Sequence, residues 1–190
     1  MTQAEAVEYL QMLARTVHLD VVPLLHVKGA APFAITREVL SYVDHLGALA
    51  AGRASTTGMT KDAKDFIASY LGRVDSSYIS GGVLLYEMYR HGTVHNFAPQ
   101  AVTQGGVTHL WYLYDGGRKE QIGGERVQHL QPIHRSTGIA HLPVSTACLV
   151  EDLEAAIRLF ASDIEHDISA QLLGKWNQHA AFVSKPKPLP

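Results

Sequence analysis

The spacing of apolar residues changes period twice along this chain, and those two changes constrain the fold more than any other feature. Up to about residue 91 the period is helical. Ala6, Val7, Leu10, Leu13, Ala14 and Val17 share one stripe, the i, i+3, i+4, i+7 pattern of an amphipathic helix. From His18 to Lys28 the apolar run is denser and interrupted by Pro23, which reads as a kink or a short buried extension. Lys28 to Pro32 reads as a connector. A second helix is expected from about Ala34 to Ala51, burying Ile35, Val39, Tyr42, Val43, Leu46 and Leu49, with Gly52 as a left-handed C-terminal cap. Thr60 is placed to cap a third helix over Lys61 to Leu71. Asp75 or Ser76 is placed to start a fourth, which runs to about His91. Gly81-Gly82 inside that fourth helix costs on the order of 1 kcal/mol per glycine; close approach of a neighbouring backbone is the usual reason for such a pair.

The period then shortens. Val107 to Tyr114 is rich in β-branched and aromatic residues and ends in Asp115-Gly116-Gly117, a hairpin-turn signal. Arg118–Ile122, Arg126–Gln131 and Ile139–Val144 are weaker strand candidates. Ser145 or Thr146 reopens the helical period, with Leu149, Leu153, Ala156, Ile157, Phe160, Ile164, Ile168 and Leu172 as one long stripe ended by Gly174. The expected fold is therefore mainly α (α+β): a bundle of about five helices with a small antiparallel β insertion, at about 105–145, before the last helix. A single domain over 1–182 precedes a mobile Pro/Lys tail, 183–190.

Composition narrows the function classes. The chain has 190 residues, 46% hydrophobic and 18% charged, with a formal net charge of −2, so it is long enough for a full core and has no global basic field. One cysteine, Cys148, excludes an internal disulfide and a cysteine-built zinc site. No basic segment precedes an apolar core at the N-terminus, and no apolar run approaches the roughly 20 residues that span a bilayer. The expectation is a cytoplasmic protein without a membrane partner. Histidine stands out: there are 11, so the charge rises as pH falls through about 6.5.

The strongest chemical motif is Glu87-Met88-Tyr89-Arg90-His91-Gly92-Thr93-Val94-His95-Asn96, an Arg-x4-His arrangement at the end of an apolar helix. On these residues the sequence resembles the HEPN superfamily (higher eukaryotes and prokaryotes nucleotide-binding), whose hallmark is an Arg, a polar residue, and a His a few positions on, carried by a small helical bundle. A looser likeness to uncharacterised bacterial proteins rests on Phe66-Ile67-Ala68-Ser69-Tyr70-Leu71 and Leu85-Tyr86 followed by Arg90, Gly92, Val94 and His95. Together they cover about residues 35 to 97. The resemblance implies metal-independent cleavage of RNA, in which a ribose 2′-hydroxyl attacks the adjacent phosphate, or binding of a nucleotide. His95 would exchange the proton, and Arg90 would clamp phosphate oxygens. His91, Glu87 and Asn96 would support them, with no cofactor and no metal. At about 100° per residue, five residues of continuous helix separate Arg90 and His95 by roughly 140°. They meet only if the chain bends at Gly92 or if two copies each contribute; the resemblance implies a site built across a dimer, and the apolar helix that ends in the motif makes a homodimer the expectation. The competing reading is a non-catalytic dimeric scaffold or partner-binding protein in which Arg90 and His95 lock a helix end.

Other features resolve to structure. His91 and His95 have the i, i+4 spacing of zinc ligands, but Gly92 argues against an intact helix and no third ligand is selected among His109, His129, His134, His141, Asp44 and His45. Asp44-His45 looks like an acid–base dyad, yet adjacent helical residues diverge by about 100°, so both are expected on the surface. Gly105-Gly106, Gly116-Gly117 and Gly123-Gly124 are turn chemistry, not phosphate loops. Cys148 reads as a packing residue, and Trp111, Tyr112 and Tyr114 as the row that seats a sheet on the bundle.

Overall fold

The computed structural model describes residues 1–27, 32–55, 57–91, 98–167 and 169–184. Among these are six helices. α1 (Gln3–Leu25) opens with a reciprocal cap in which the Glu5 amide donates to Thr2 Oγ1 and the Thr2 amide to Glu5. It runs through the position of the expected kink. Pro23 lies in its final turn, and the chain beside it is solvated (Leu19 is 71% exposed), so the carbonyl deprived of its donor is left to water. α2 is Pro32–Ala51. α3 (59–74) is interrupted by a π-helical turn, Ile67–Leu71. α4 (77–91) is α-helical over Ser77–Leu85 and π-helical over Tyr86–His91. α5 (Thr146–Glu165) and α6 (Gln171–Val183) complete the set.

The expected stripes form the core. Ala6, Leu10 and Val17 of α1 and Leu153, Ala156, Ile157, Phe160 and Ile164 of α5 are fully buried, and α1 lies along α5. Ile35, Val39, Val43, Leu46 and Leu49 line the buried side of α2. Gly81 has the expected cause, since a Cβ there would stand 2.9 Å from the Leu130 carbonyl oxygen, whereas one at Gly82 would collide with a side chain, Ile67 Cγ2, and not with backbone.

Two expectations about architecture fail. The last helix is not one element. Asp167 accepts from the Leu172 amide at 2.6 Å and from Ser169 Oγ at 2.6 Å, and Ala170 takes a left-handed conformation with φ 54°. That local cap turns the chain and starts α6, so Gly174 sits inside α6 instead of ending α5. Ile168 lies outside the described residues. The bundle is therefore not the expected five-helix one.

The β region is neither small nor purely antiparallel. A four-stranded mixed sheet runs β1 (Val102–Gln104), β2 (Val107–Tyr114), β6 (Ile139–Ser145), β5 (Ile133–Ser136), with β2 and β6 parallel. A separate hairpin pairs β3 (Lys119–Ile122) with β4 (Glu125–Gln128). Asp115-Gly116-Gly117 does not fold β3 back on β2. It makes a corner pinned to the start of α5, where Ser145 Oγ donates to the Gly116 carbonyl at 2.5 Å and Thr146 Oγ1 to Asp115 Oδ1 at 3.1 Å. Two of the tight reversals are Gly105-Gly106 and Gly123-Gly124, all four at positive φ, as two-residue hairpin loops need. The sheet enters the core directly: Ala140, Leu142 and Val144 are fully buried.

Candidate functional site

The residues expected to carry chemistry sit where α4 ends. The Arg90 side chain is 20% exposed and its Nε donates to Asp44 Oδ2. Tyr86, one turn earlier, donates its hydroxyl to the other oxygen, Oδ1, at 2.6 Å. The π-helical turn over 86–91 brings both donors onto one carboxylate of α2, and such turns recur at functional sites. Burial and the Asp44 hydrogen bond push the Tyr86 phenol well up, so it stays a donor. Glu87 pairs with Lys64 of α3. The His91 side chain, His95 and Asn96 lie outside the described residues.

Arg90 lines the wall of an open cleft of about 380 Å³, shared with Asp44, His45, Arg53 and His179. Asp44 and His45 are thus not surface residues: Asp44 is 7% exposed and both face the cleft. Each imidazole is oriented by one hydrogen bond. His45 Nε2 meets the Tyr9 hydroxyl at 2.8 Å, and His179 Nδ1–H donates to the Arg53 carbonyl at 2.7 Å. The ring centroids are 6.3 Å apart. Burial, and then the neighbouring His179, pull the His45 imidazole below its ordinary range. Arg53 donates from Nε to Asp62 Oδ2 at 2.7 Å, while its Nη2 is buried with no acceptor among the described residues. Arg90 Nη1 and Nη2, His45 Nδ1 and His179 Nε2 likewise make no hydrogen bond among the described residues. An anion with several acceptor oxygens matches the arginine nitrogens, and His179 Nε2 joins them as a donor only when its ring is protonated.

A second polar cluster has the opposite character. Ser145 N–H donates to His129 Nδ1 at 3.0 Å, and His129 Nε2 meets the Tyr78 hydroxyl at 3.1 Å. Tyr78 donates to Asp152 Oδ2 at 2.9 Å, and Arg118 donates to Asp152 Oδ1 at 2.6 Å and to Asp75. Most of the polar atoms are spent within the cluster, and Asp75 Oδ1 accepts from the Ser77 amide beside it. Burial, then the Arg118 charge, hold the His129 imidazole down at about 4, neutral at physiological pH. This chain ties the β region to α4 and α5 and offers nothing to a ligand.

Sequence reasoning placed Arg90 but missed the cleft. The signal lay in Ser41, His45 and Ala48, which share a face of α2, and in Trp176, His179 and Ala180, a helical stripe with an imidazole inside it. Cys148 is buried, and burial pushes its thiol up, as suits a packing residue. Trp111 stands edge-on to Phe33 with centroids 5.2 Å apart, linking the sheet to α2.

Comparison with protein-family models, curated proteins and solved structures gives no match for this chain. Among the described residues no helix is long and apolar enough to cross a membrane. Nor does any group of three His, Cys, Asp or Glu residues there have a metal-holding arrangement.

Proposed function

We propose that this is a HEPN-like protein that cleaves RNA or binds a nucleotide through Arg90 and His95. The observation that carries the reading is Arg90 itself: a guanidinium oriented through Nε by a buried carboxylate, in the wall of an open cleft, with its remaining nitrogens uncommitted among the described residues. A preset guanidinium stabilises developing negative charge on phosphorus without reorganising during the reaction. In the cleavage reading the 2′-hydroxyl gives its proton to a base, its oxygen bonds to phosphorus, and the 5′-oxygen leaves with a proton. The products are a 2′,3′-cyclic phosphate and a 5′-hydroxyl. His95, five positions beyond Arg90, is the assigned proton carrier, and the RNA partner implies a cytoplasmic setting.

Purified protein incubated with mixed single-stranded RNAs is expected to nick them, and His95→Ala to abolish the nicking. Equal nicking by the variant removes the assignment. The same reading expects a homodimer in which each subunit contributes to the site. Light scattering at micromolar concentration checks that, and a monomer counts against it.

The scaffold reading has its own supporting observation. Asp44 joins α2 to α4 through both Arg90 and Tyr86, which is what a purely structural clamp requires. In that case Arg90 variants lose stability and no binding activity exists to be lost.

A further inference from the structure

We infer that His45 and His179 form, with Arg53, a proton-linked subsite of the same cleft that holds the phosphodiester of a nucleic-acid chain against Arg90. It rests on the reading of the cleft as a place for RNA phosphate, and extends it to residues outside the Arg90–His95 motif.

Three independent elements converge on one cavity. His45 comes from α2, His179 from α6, and Arg53 from the connection after α2. Each imidazole has one nitrogen anchored, on Tyr9 or on the Arg53 carbonyl, and one without a partner among the described residues. Because His179 Nδ1 donates to a carbonyl, its neutral tautomer carries the lone pair on Nε2. Protonation there adds a donor without disturbing the anchor. At 6.3 Å between centroids two imidazolium rings repel each other, and an anion between them converts that repulsion into attraction. Arg53 supplies a guanidinium nitrogen buried without an acceptor among the described residues, an arrangement that costs stability until a ligand oxygen is provided.

The surrounding charges determine the pH window. Around the two imidazoles stand Tyr9 on α1, Asp44 on α2, Arg53 with its partner Asp62 on α3, and Tyr86 and Arg90 on α4. Each carboxylate is matched to an arginine, so the uncharged histidines leave the cleft near neutrality. Lowering the pH makes it cationic. Binding of an anion therefore takes up a proton and tightens as pH falls.

The probe is thymidylyl-(3′→5′)-thymidine. Its single phosphodiester keeps a constant charge across the range, and the missing 2′-hydroxyl makes it inert to the cleavage reaction. Calorimetry is expected to show affinity rising about tenfold from about pH 8 to about pH 5.5, with about one proton taken up. Thymidine, which has no phosphate, is expected not to bind. His45→Gln and His179→Asn each flatten the pH dependence, and His179→Asn keeps an amide N–H near the Nδ1 position that donates to the Arg53 carbonyl. A readout that needs no variant is the imidazole proton titration of the wild-type protein by NMR, in which both midpoints move up on saturation with the dinucleotide. Absent binding, a pH-independent affinity or unmoved midpoints overturn the inference. RNA nicking that depends on His95 alongside any of those results leaves the proposed function standing and removes only this subsite. Proton-linked dinucleotide binding without RNA nicking keeps this subsite and removes the cleavage reading, leaving nucleotide binding alone.

Discussion

Arg118→Ala is expected to lower stability by about 2–4 kcal/mol at neutral pH, the usual cost of removing one partner of a buried ion pair discounted for the exposure of the guanidinium. Arg118 is the more exposed member, at 36% of its side chain against 3% for Asp152. Its loss therefore strands a carboxylate that water cannot reach. Only the Tyr78 hydroxyl then remains on Asp152. The double replacement Arg118→Met, Asp152→Leu is expected to recover part of the loss, because it removes the buried charge at position 152, while Asp75, 20% exposed, keeps only the Ser77 amide. Denaturant midpoints at constant slope measure both, and a double variant no better than the single one rejects the account. The same cluster sets an acid limit. His129 is held at about 4 against an ordinary 6.5, so below about 6.5 the unfolded chain takes a proton that the folded one refuses. Stability is expected to fall between about pH 6.5 and pH 4, by on the order of 3 kcal/mol from this group. Asp152 works the other way. Burial pushes its carboxyl up, so the folded state gains from protonation there as pH falls, and the observed loss is the difference.

What periodicity expresses was legible in the chain. Stripes such as Leu149, Leu153, Phe160 and Ile164 form the core face of α5, because burial of a helix face needs only local spacing. The β-rich run from Val107 and the turns at Gly105-Gly106 and Gly123-Gly124 were legible too, since positive φ at two consecutive positions favours glycine; β1, β5 and the corner at Gly116-Gly117 were not. The break after α5 was not. Asp167 and Ala170 make a cap whose geometry leaves the apolar spacing across it undisturbed, so Ile164 and Leu172 read as one stripe. Parallel pairing of β2 with β6 was not legible either. His109 and Ala140 stand opposite each other with a whole hairpin between them in sequence, and no spacing within either strand encodes the partner.

The site divides along the same line. Arg90 announced itself as a charged residue closing an apolar helix. Its partner Asp44 lies 46 positions away, next to a histidine in an otherwise ordinary α2, and reads as surface. The cleft is a property of tertiary packing: it exists because α6 turns back after Ala170 and lays His179 beside His45. An uninterrupted final helix would have carried His179 away from α2 and left no second imidazole.

Arg90→Lys separates the structural and phosphate-binding readings of the motif, and Arg90→Ala sets the scale. Asp44 is nearly buried, with 9% of its side chain exposed, and accepts from both Arg90 and Tyr86. Removing the guanidinium leaves Tyr86 as its remaining side-chain donor among the described residues, at a cost of about 2–4 kcal/mol once the partial exposure of Arg90 is discounted. Lysine restores the charge on Asp44 but not the planar fork that meets two phosphate oxygens at once. Arg90→Lys is therefore expected to recover at least half of the stability lost in Arg90→Ala. It is still expected to bind the dinucleotide about tenfold or more weakly than wild type, as loss of a bidentate, charge-assisted contact implies. Melting temperature and calorimetry on the same three proteins make the comparison. A lysine variant that recovers stability and retains full affinity assigns Arg90 to the clamp between α2 and α4 alone, because only the phosphate contact distinguishes the fork from a point charge.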